Sequence, residues 1–242
     1  MEGYSKKTYG AEWAAEYDQI FAEAPSAMIE LLAELGHEGR VLELAIGTGR
    51  IALPLVARGV DITGIDISDE MVAGLRAKPG GDRIPVVMGD FADVAVDGTF
   101  RLVYLVSNTL FVLLDQDEQI RCFTNVAAHL ELGGRFVIEA FVPDLARFDR
   151  GQRISANSIE VDRVAIEVSV HRRDQQRIDT HLIHITEAGI KLLPVAVRYA
   201  WPSEIDLMAR LAGLKLENRF GGWDRRPFSS ESASHISVYC KA

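Results

Sequence analysis

The chain has 242 residues, 48% apolar and 25% charged, enough apolar material for a sizeable core in one large domain or two small ones. A formal net charge of −9 and a sequence pI near 5.2 argue against general nucleic-acid binding, which needs clustered cations to displace counterions. The two cysteines, Cys122 and Cys240, stand outside any CxxC or Cys/His metal spacing. No apolar run approaches the roughly 18–20 residues that cross a bilayer, and the first residues lack a signal-peptide core. A soluble, cytoplasmic chain without a metal or a disulfide framework is therefore expected.

The first forty residues read as helix. Tyr9, Trp13, Tyr17 and Phe21 recur at helical spacing, as a stripe facing the core or as a cap over a ligand. A second helical run, "PSAMIELLAELGHEG", starts at Pro25 and ends at Gly36. Strict alternation follows: strand Val41–Ala45, helix Arg50–Arg58, strand Val60–Asp66, helix Asp69–Ala77 with Ser68 as N-cap, and strand Ile84–Met88. Strand Arg101–Ser107, helix Asp117–Leu130 and strand Arg135–Phe141 complete it. Continuous apolar strands separated by helices imply a doubly wound α/β sheet covered on both faces. Its ligand should lie beyond the carboxyl ends of the strands.

After Phe141 the period changes. Three runs, "SIEVDRVAIEVSVHRRD", "QQRIDTHLIHITEAG" and "IKLLPVAVRYAW", predict an antiparallel meander. His181 and His184 lie three apart within it and so point to opposite faces. A helix from Pro202 to Leu211 and two last strands, "LKLENRFGG" and "HISVYCKA", end the chain.

The chemistry-bearing stretch is "VLELAIGTGRIALPLVARGVDITGID". Gly47-x-Gly49-x-x-Ala52 with Asp66 seventeen residues after Gly49 fits a dinucleotide-binding fingerprint. Glu43, four residues before Gly47, argues otherwise. A carboxylate there would repel a pyrophosphate and would suit a cationic amino group.

Together with "GIDISDEM", "VVMGDFAD" and the closing strand pair, "VLELAIGTG" resembles the first motif of the class I S-adenosylmethionine-dependent methyltransferases. The resemblance runs from about Tyr9 to the C-terminus. It implies a seven-stranded, mostly parallel sheet with a reversed last strand. An antiparallel β lid insertion and an N-terminal helical cap would be added to it. As a single methyltransferase domain, the chain would divide into cap 1–38, cofactor core 39–141, lid 150–200 and closing segment 201–242.

The resemblance also implies roles. Ala45, in place of a usual glycine, Gly47 and Gly49 would lie against the methionine part of S-adenosylmethionine, with Glu43 facing its amino end. Asp66 would accept from both ribose hydroxyls, and Ile67 and Met71 would flank the adenine. Asp90 would accept from the adenine amino group, with Phe91 beside the ring. Tyr9 and Tyr17 would close over the cofactor, and Ser107 would touch it. Asn108 and Phe141 would reach the substrate, as would Trp223 and Arg225 in the loop after the penultimate strand. Glu139 and His235 are the best-placed candidate bases by topology.

The implied activity is methyl transfer to a nitrogen or oxygen of a small molecule in secondary metabolism, leaving S-adenosylhomocysteine. Nucleic-acid, membrane and metal partners are not expected, and the chain would be a monomer or homodimer. Two other readings remain open on the residues: a non-catalytic S-adenosylmethionine-binding protein, and a nicotinamide-dependent oxidoreductase.

Overall fold

A computed structural model describes residues 1–21, 23–37, 39–93 and 96–242; residues 22 and 38, both within the expected cap, lie outside them. Among the described residues, three helices open the chain: α1 (Lys6–Trp13), α2 (Tyr17–Ile20) and α3 (Ser26–Leu35). Strands and helices then alternate as β1 (Arg40–Leu44), α4 (Ala52–Val56), β2 (Asp61–Asp66), α5 (Asp69–Arg76), β3 (Val86–Met88), β4 (Phe100–Leu105), α6 (Gln116–His129) and β5 (Leu130–Phe141). Four strands follow, with only a 3-10 turn at Arg173–Gln175 among them: β6 (Gln152–Ile159), β7 (Arg163–Arg172), β8 (Arg177–Thr186) and β9 (Gly189–Arg198). Helix α7 (Pro202–Leu211), β10 (Leu214–Phe220) and β11 (Ser234–Lys241) close the chain.

Seven strands form one sheet in the order β10-β11-β5-β4-β1-β2-β3. β11 runs antiparallel to both its neighbours and the other pairings are parallel, so the expected reversed last strand is present. The apolar strands are buried on two sides. On one face Leu42, Phe100 and Phe136 pack with Phe123 of α6 and with α7; on the other Val41, Leu102, Tyr104 and Val137 pack with α3 and α4. The two layers explain why the strands read as continuous apolar runs rather than as alternating ones. Helix α3 thus belongs to the core layer, while α1 packs on β9 and α5.

Helix α4 is shorter than the expected Arg50–Arg58. Pro54 sits within it and donates no N–H, and the chain turns at Gly59, φ +84°. Helix α5 starts where expected, with Ser68 Oγ accepting from Met71 N at 3.1 Å.

The meander has four strands in the order β6-β7-β8-β9, not three. The run from Ser158 to Asp174 breaks into a hairpin at residues 160–162, closed by Glu160 N donating to Arg163 O. β6, "QRISANSI", was not expected as a strand: it is an edge strand, rich in serine and asparagine, with a register shift between Ala156 and Ser158.

Candidate active site

The sheet order reverses between β1 and β4, and the turns after β1, β2, β3 and β4 converge beyond that point. They floor a cavity of about 490 Å³, within the range of small-molecule sites. Ala45, Gly47, Asp66, Ile67, Met71 and Phe91 line the floor. Tyr9, Gly10, Trp13, Tyr17 and Phe21 line it from the cap, and Glu167, Ile178, Thr180, Leu182, Val195 and Val197 from the lid. The aromatic stripe is therefore a cap over a cavity. Tyr9 stacks on Trp13 at 5.2 Å and Trp13 Nε1 donates to Pro194 O at 3.0 Å, tying cap to lid.

The glycine-rich turn adopts left-handed backbone at Ala45 (φ +56°), Gly47 (+57°) and Gly49 (+78°). Ala45 therefore occupies a conformation that favours glycine. A Cβ on Gly47 would meet nothing nearer than Ala45 O at 4.0 Å, so its backbone faces open cavity. Gly49 does not line the cavity. A Cβ there would stand 2.4 Å from Leu75 Cδ1, so its role is close packing of the turn against α5.

Asp66 lies at the cavity floor, 7% exposed. Its Oδ2 accepts from Gly47 N at 2.7 Å and its Oδ1 from Ser68 N at 2.9 Å. Burial raises its pKa, and the backbone N–H groups of Ser68, Gly47 and Ile67 oppose that rise. Each oxygen keeps acceptor capacity on its open side.

Glu43, 3% exposed, lies beneath the turn and does not line the cavity; its Oε2 accepts from Tyr104 Oη at 2.7 Å. Burial pushes its carboxyl up to about 8, against the hydrogen bond from Tyr104 and the charge of Arg50. Arg50 Nη2 donates to Ser107 Oγ at 2.8 Å, while its buried Nε has no partner among the described residues.

The structure separates the other expected site residues. Ser107, Asn108 and Phe141 line the cavity; Asp90, Glu139, Trp223, Arg225 and His235 do not. Asp90 Oδ2 is 2.5 Å from Lys6 Nζ, and Lys6 also pairs with Glu118 at 2.6 Å, pinning the start of the cap to the core. Glu139 spends both oxygens, Oε2 on Ser107 N and Oε1 on Trp223 Nε1, each at 2.8 Å. It thereby holds the turn in which Ser107 and Asn108 are both left-handed, φ +57° and +63°. Asn108 Oδ1 completes the clamp, accepting from Phe141 N at 2.7 Å.

Trp223 packs against the core layer that includes α3 and is held by Glu139, and Arg225 pairs with Glu34 on α3, so neither side chain lines the cavity. His235 is fully buried, with Nδ1 2.8 Å from Ser237 Oγ. Burial and the charge of Arg219 hold its pKa down at about 4. In the lid His184 faces Glu16 of the cap at 3.5 Å, while His181 lies on the opposite face.

Comparison with known proteins agrees with this arrangement. Residues 41–134 match a methyltransferase domain family. The chain is 37% identical to the CcbJ methyltransferase of Streptomyces caelestis, covering 99% of this chain and all of that one, with a TM-score of 0.92. The chain belongs to the class I S-adenosylmethionine-dependent methyltransferases. The methyltransferase is also 29% identical to the cypemycin N-terminal methyltransferase of a Streptomyces species, over 83% of each chain. Its fold matches, at 20% identity and a TM-score of 0.64, an amino pentose methyltransferase of Micromonospora echinaspora, over 99% of this chain and 93% of that one.

The donor set fits S-adenosylmethionine, the cofactor of the family. Open backbone at Gly47, acceptors on Asp66 for a diol, and apolar walls at Ile67, Met71 and Phe91 would suit its uncharged parts. Glu43, whose carboxyl burial holds up at about 8, and the Arg50 guanidinium lie outside the lining, so a zwitterionic end would have to draw the charge onto Glu43.

Sequence reasoning missed Arg50, Lys6, Gly10 and Glu167. Arg50 directly follows Gly49 and was legible as a charge beside the motif. Gly10 was not: a Cβ there would stand 2.3 Å from Ser68 Cβ, a closeness that only the docked cap creates. No helix among the described residues is long and apolar enough to cross a membrane.

Proposed function

We propose that the methyltransferase methylates an amine of a small molecule enclosed between lid and cap, in natural-product tailoring. S-adenosylmethionine supplies the methyl group, activated on a sulfonium sulfur. The chain's own work is to bind, align and exclude water. Glu43 and Arg50 seat the methionine end, Asp66 the ribose, and Ile67, Met71 and Phe91 the base. Asp90, outside the lining, holds Lys6 and so ties the cap over the cavity. The Ser107–Asn108 turn, clamped by Glu139, and Phe141 present the acceptor. The aromatic cap covers both ligands.

The observation that carries the amine is the poverty of bases in the lining. Asp66 and Glu167 are its only carboxylates among the described residues, and no histidine lines it. Asp66 is engaged by two backbone N–H groups, and Glu167 Oε1 accepts from Arg153 and Ser169. Burial raises Tyr9 and Tyr17, so both phenols stay protonated. A hydroxyl acceptor needs a base in reach, whereas an amine can lose its proton before it binds. The names of the cypemycin and amino pentose enzymes point the same way.

The test uses matched acceptors that differ only in carrying an amine or a hydroxyl, with trideuteromethyl-labelled cofactor and mass detection. Label on the amine alone is expected; efficient labelling of the hydroxyl twin sinks the reading.

A further inference from the structure

Arg50 uses only half of a carboxylate-binding edge. Its Nη2 donates to Ser107 Oγ at 2.8 Å, while its Nε is buried and has no partner among the described residues. Nε and Nη2 share one edge of a guanidinium, the edge that grips a carboxylate through two parallel hydrogen bonds. Arg135 shows the complete grip in this chain, with Nε 2.7 Å and Nη2 2.9 Å from the two oxygens of Glu217. Glu43 feels the charge of Arg50, yet no carboxylate pairs with Arg50 among the described residues.

Ser107 lines the cavity and Arg50 does not, so this hydroxyl links the cavity to a cation outside its lining. The backbone N–H of Ser107 is held separately, by Glu139 Oε2 at 2.8 Å. The hydroxyl can therefore change partner by rotation about χ1 while the turn stays in place.

We infer that Ser107 and a ligand carboxylate exchange on Arg50. In the free chain the Ser107 hydroxyl holds Nη2; the carboxylate of the methionine end displaces it and takes Nε and Nη2 together. This rests on the seating of that end by Arg50 proposed above. Two parallel bonds between opposite charges replace one bond to a neutral hydroxyl, and the buried Nε gains the partner it lacks, so the exchange runs toward the carboxylate. The displaced hydroxyl stays beside Asn108 and Phe141, where the acceptor is presented. A neutral amine still carries an N–H, and Ser107 Oγ can accept it, turning the nitrogen lone pair toward the methyl group. The hydroxyl that orients the acceptor is thus released only when the cofactor carboxylate is in place.

Isothermal titration of the full chain with two probes tests this. S-adenosylhomocysteine carries the carboxylate; 5′-methylthioadenosine keeps the nucleoside and lacks the amino-acid end. Ser107→Ala removes the competing hydroxyl and keeps the N–H bonded to Glu139. It is expected to bind S-adenosylhomocysteine about three- to tenfold more tightly than wild type, the scale of one hydrogen bond, and methylthioadenosine equally. Ser107→Gly, which suits the left-handed backbone at φ +57°, should do the same. Arg50→Met is expected to bind S-adenosylhomocysteine about 10–100-fold more weakly and methylthioadenosine equally, and adding Ser107→Ala to it should change nothing further. Ser107 variants that bind S-adenosylhomocysteine no more tightly than wild type overturn the exchange, as do variants that tighten both probes alike. If Arg50→Met binds S-adenosylhomocysteine as tightly as wild type, the seating itself fails and the exchange with it.

Discussion

Glu43→Gln keeps the shape beneath the glycine-rich turn and an acceptor for Tyr104 but removes the charge. In the free protein burial holds the Glu43 carboxyl at about 8, so at pH 7 about nine in ten are protonated. A cofactor ammonium brought to this side of the turn favours the carboxylate and drives the proton off. Cofactor uptake at pH 7 should therefore release about 0.9 proton, and affinity should climb about tenfold from pH 6 to pH 7. Calorimetry with S-adenosylhomocysteine in two buffers of different ionisation enthalpy reads both quantities. Glu43→Gln should release no proton from this site and bind about 10–100-fold more weakly, the scale of one charge-assisted hydrogen bond. The same shift acts on stability. Glu43 binds its proton more tightly folded than unfolded, so its contribution is present at low pH and is lost as pH rises from 4.5 through about 8. The variant should hence melt higher than wild type at pH 9 and not at pH 4. Wild-type binding without proton release, and with an affinity equal to the variant's, would refute the placement of Glu43 at the ammonium.

Three further outcomes are expected. Gly10→Val would drive a side chain into Ser68, 2.3 Å away, so the cap should lift and the KM for cofactor rise with little change in melting temperature. Glu139→Gln can accept from only one of Ser107 N and Trp223 Nε1 without clash; kcat should fall while the pH–rate profile keeps its shape, whereas a lost base would move the profile. Ala45→Gly should raise stability by about 1 kcal/mol in denaturant titration by relieving a left-handed alanine.

Where packing followed local pattern, the sequence was informative. Buried parallel strands have no solvent side, so β1, β2, β4 and β5 read as apolar runs, and the three left-handed positions of the turn fell on Ala45, Gly47 and Gly49. Glu43 stood out because a carboxylate four residues before Gly47 would repel a pyrophosphate and suit a cationic amino group. Pattern failed where tertiary context decides. β6 is a polar edge strand recognisable only from β7 beside it. Topology put the loop after β10 at the ligand end of the sheet but not at the ligand. β10 is the edge strand, four strands from β1, and the loop is tied to α3 by Arg225 with Glu34 and to the end of β5 by Trp223 with Glu139. His235 faced the same difficulty: its place at the start of β11 was right, but its side chain enters the core rather than the cavity. Lys6 and Glu167 belong to no motif, and only the docked cap and lid bring them to the site.

The seating of the cofactor underlies every role assigned above, and a crystal structure with S-adenosylhomocysteine tests it most directly. Both ribose hydroxyls are expected within about 2.6–3.2 Å of the two Asp66 oxygens, with the amino end on the Glu43 side of the turn, under Tyr9 and Tyr17. A ribose turned away from Asp66, or an amino end directed at the lid, would contradict it.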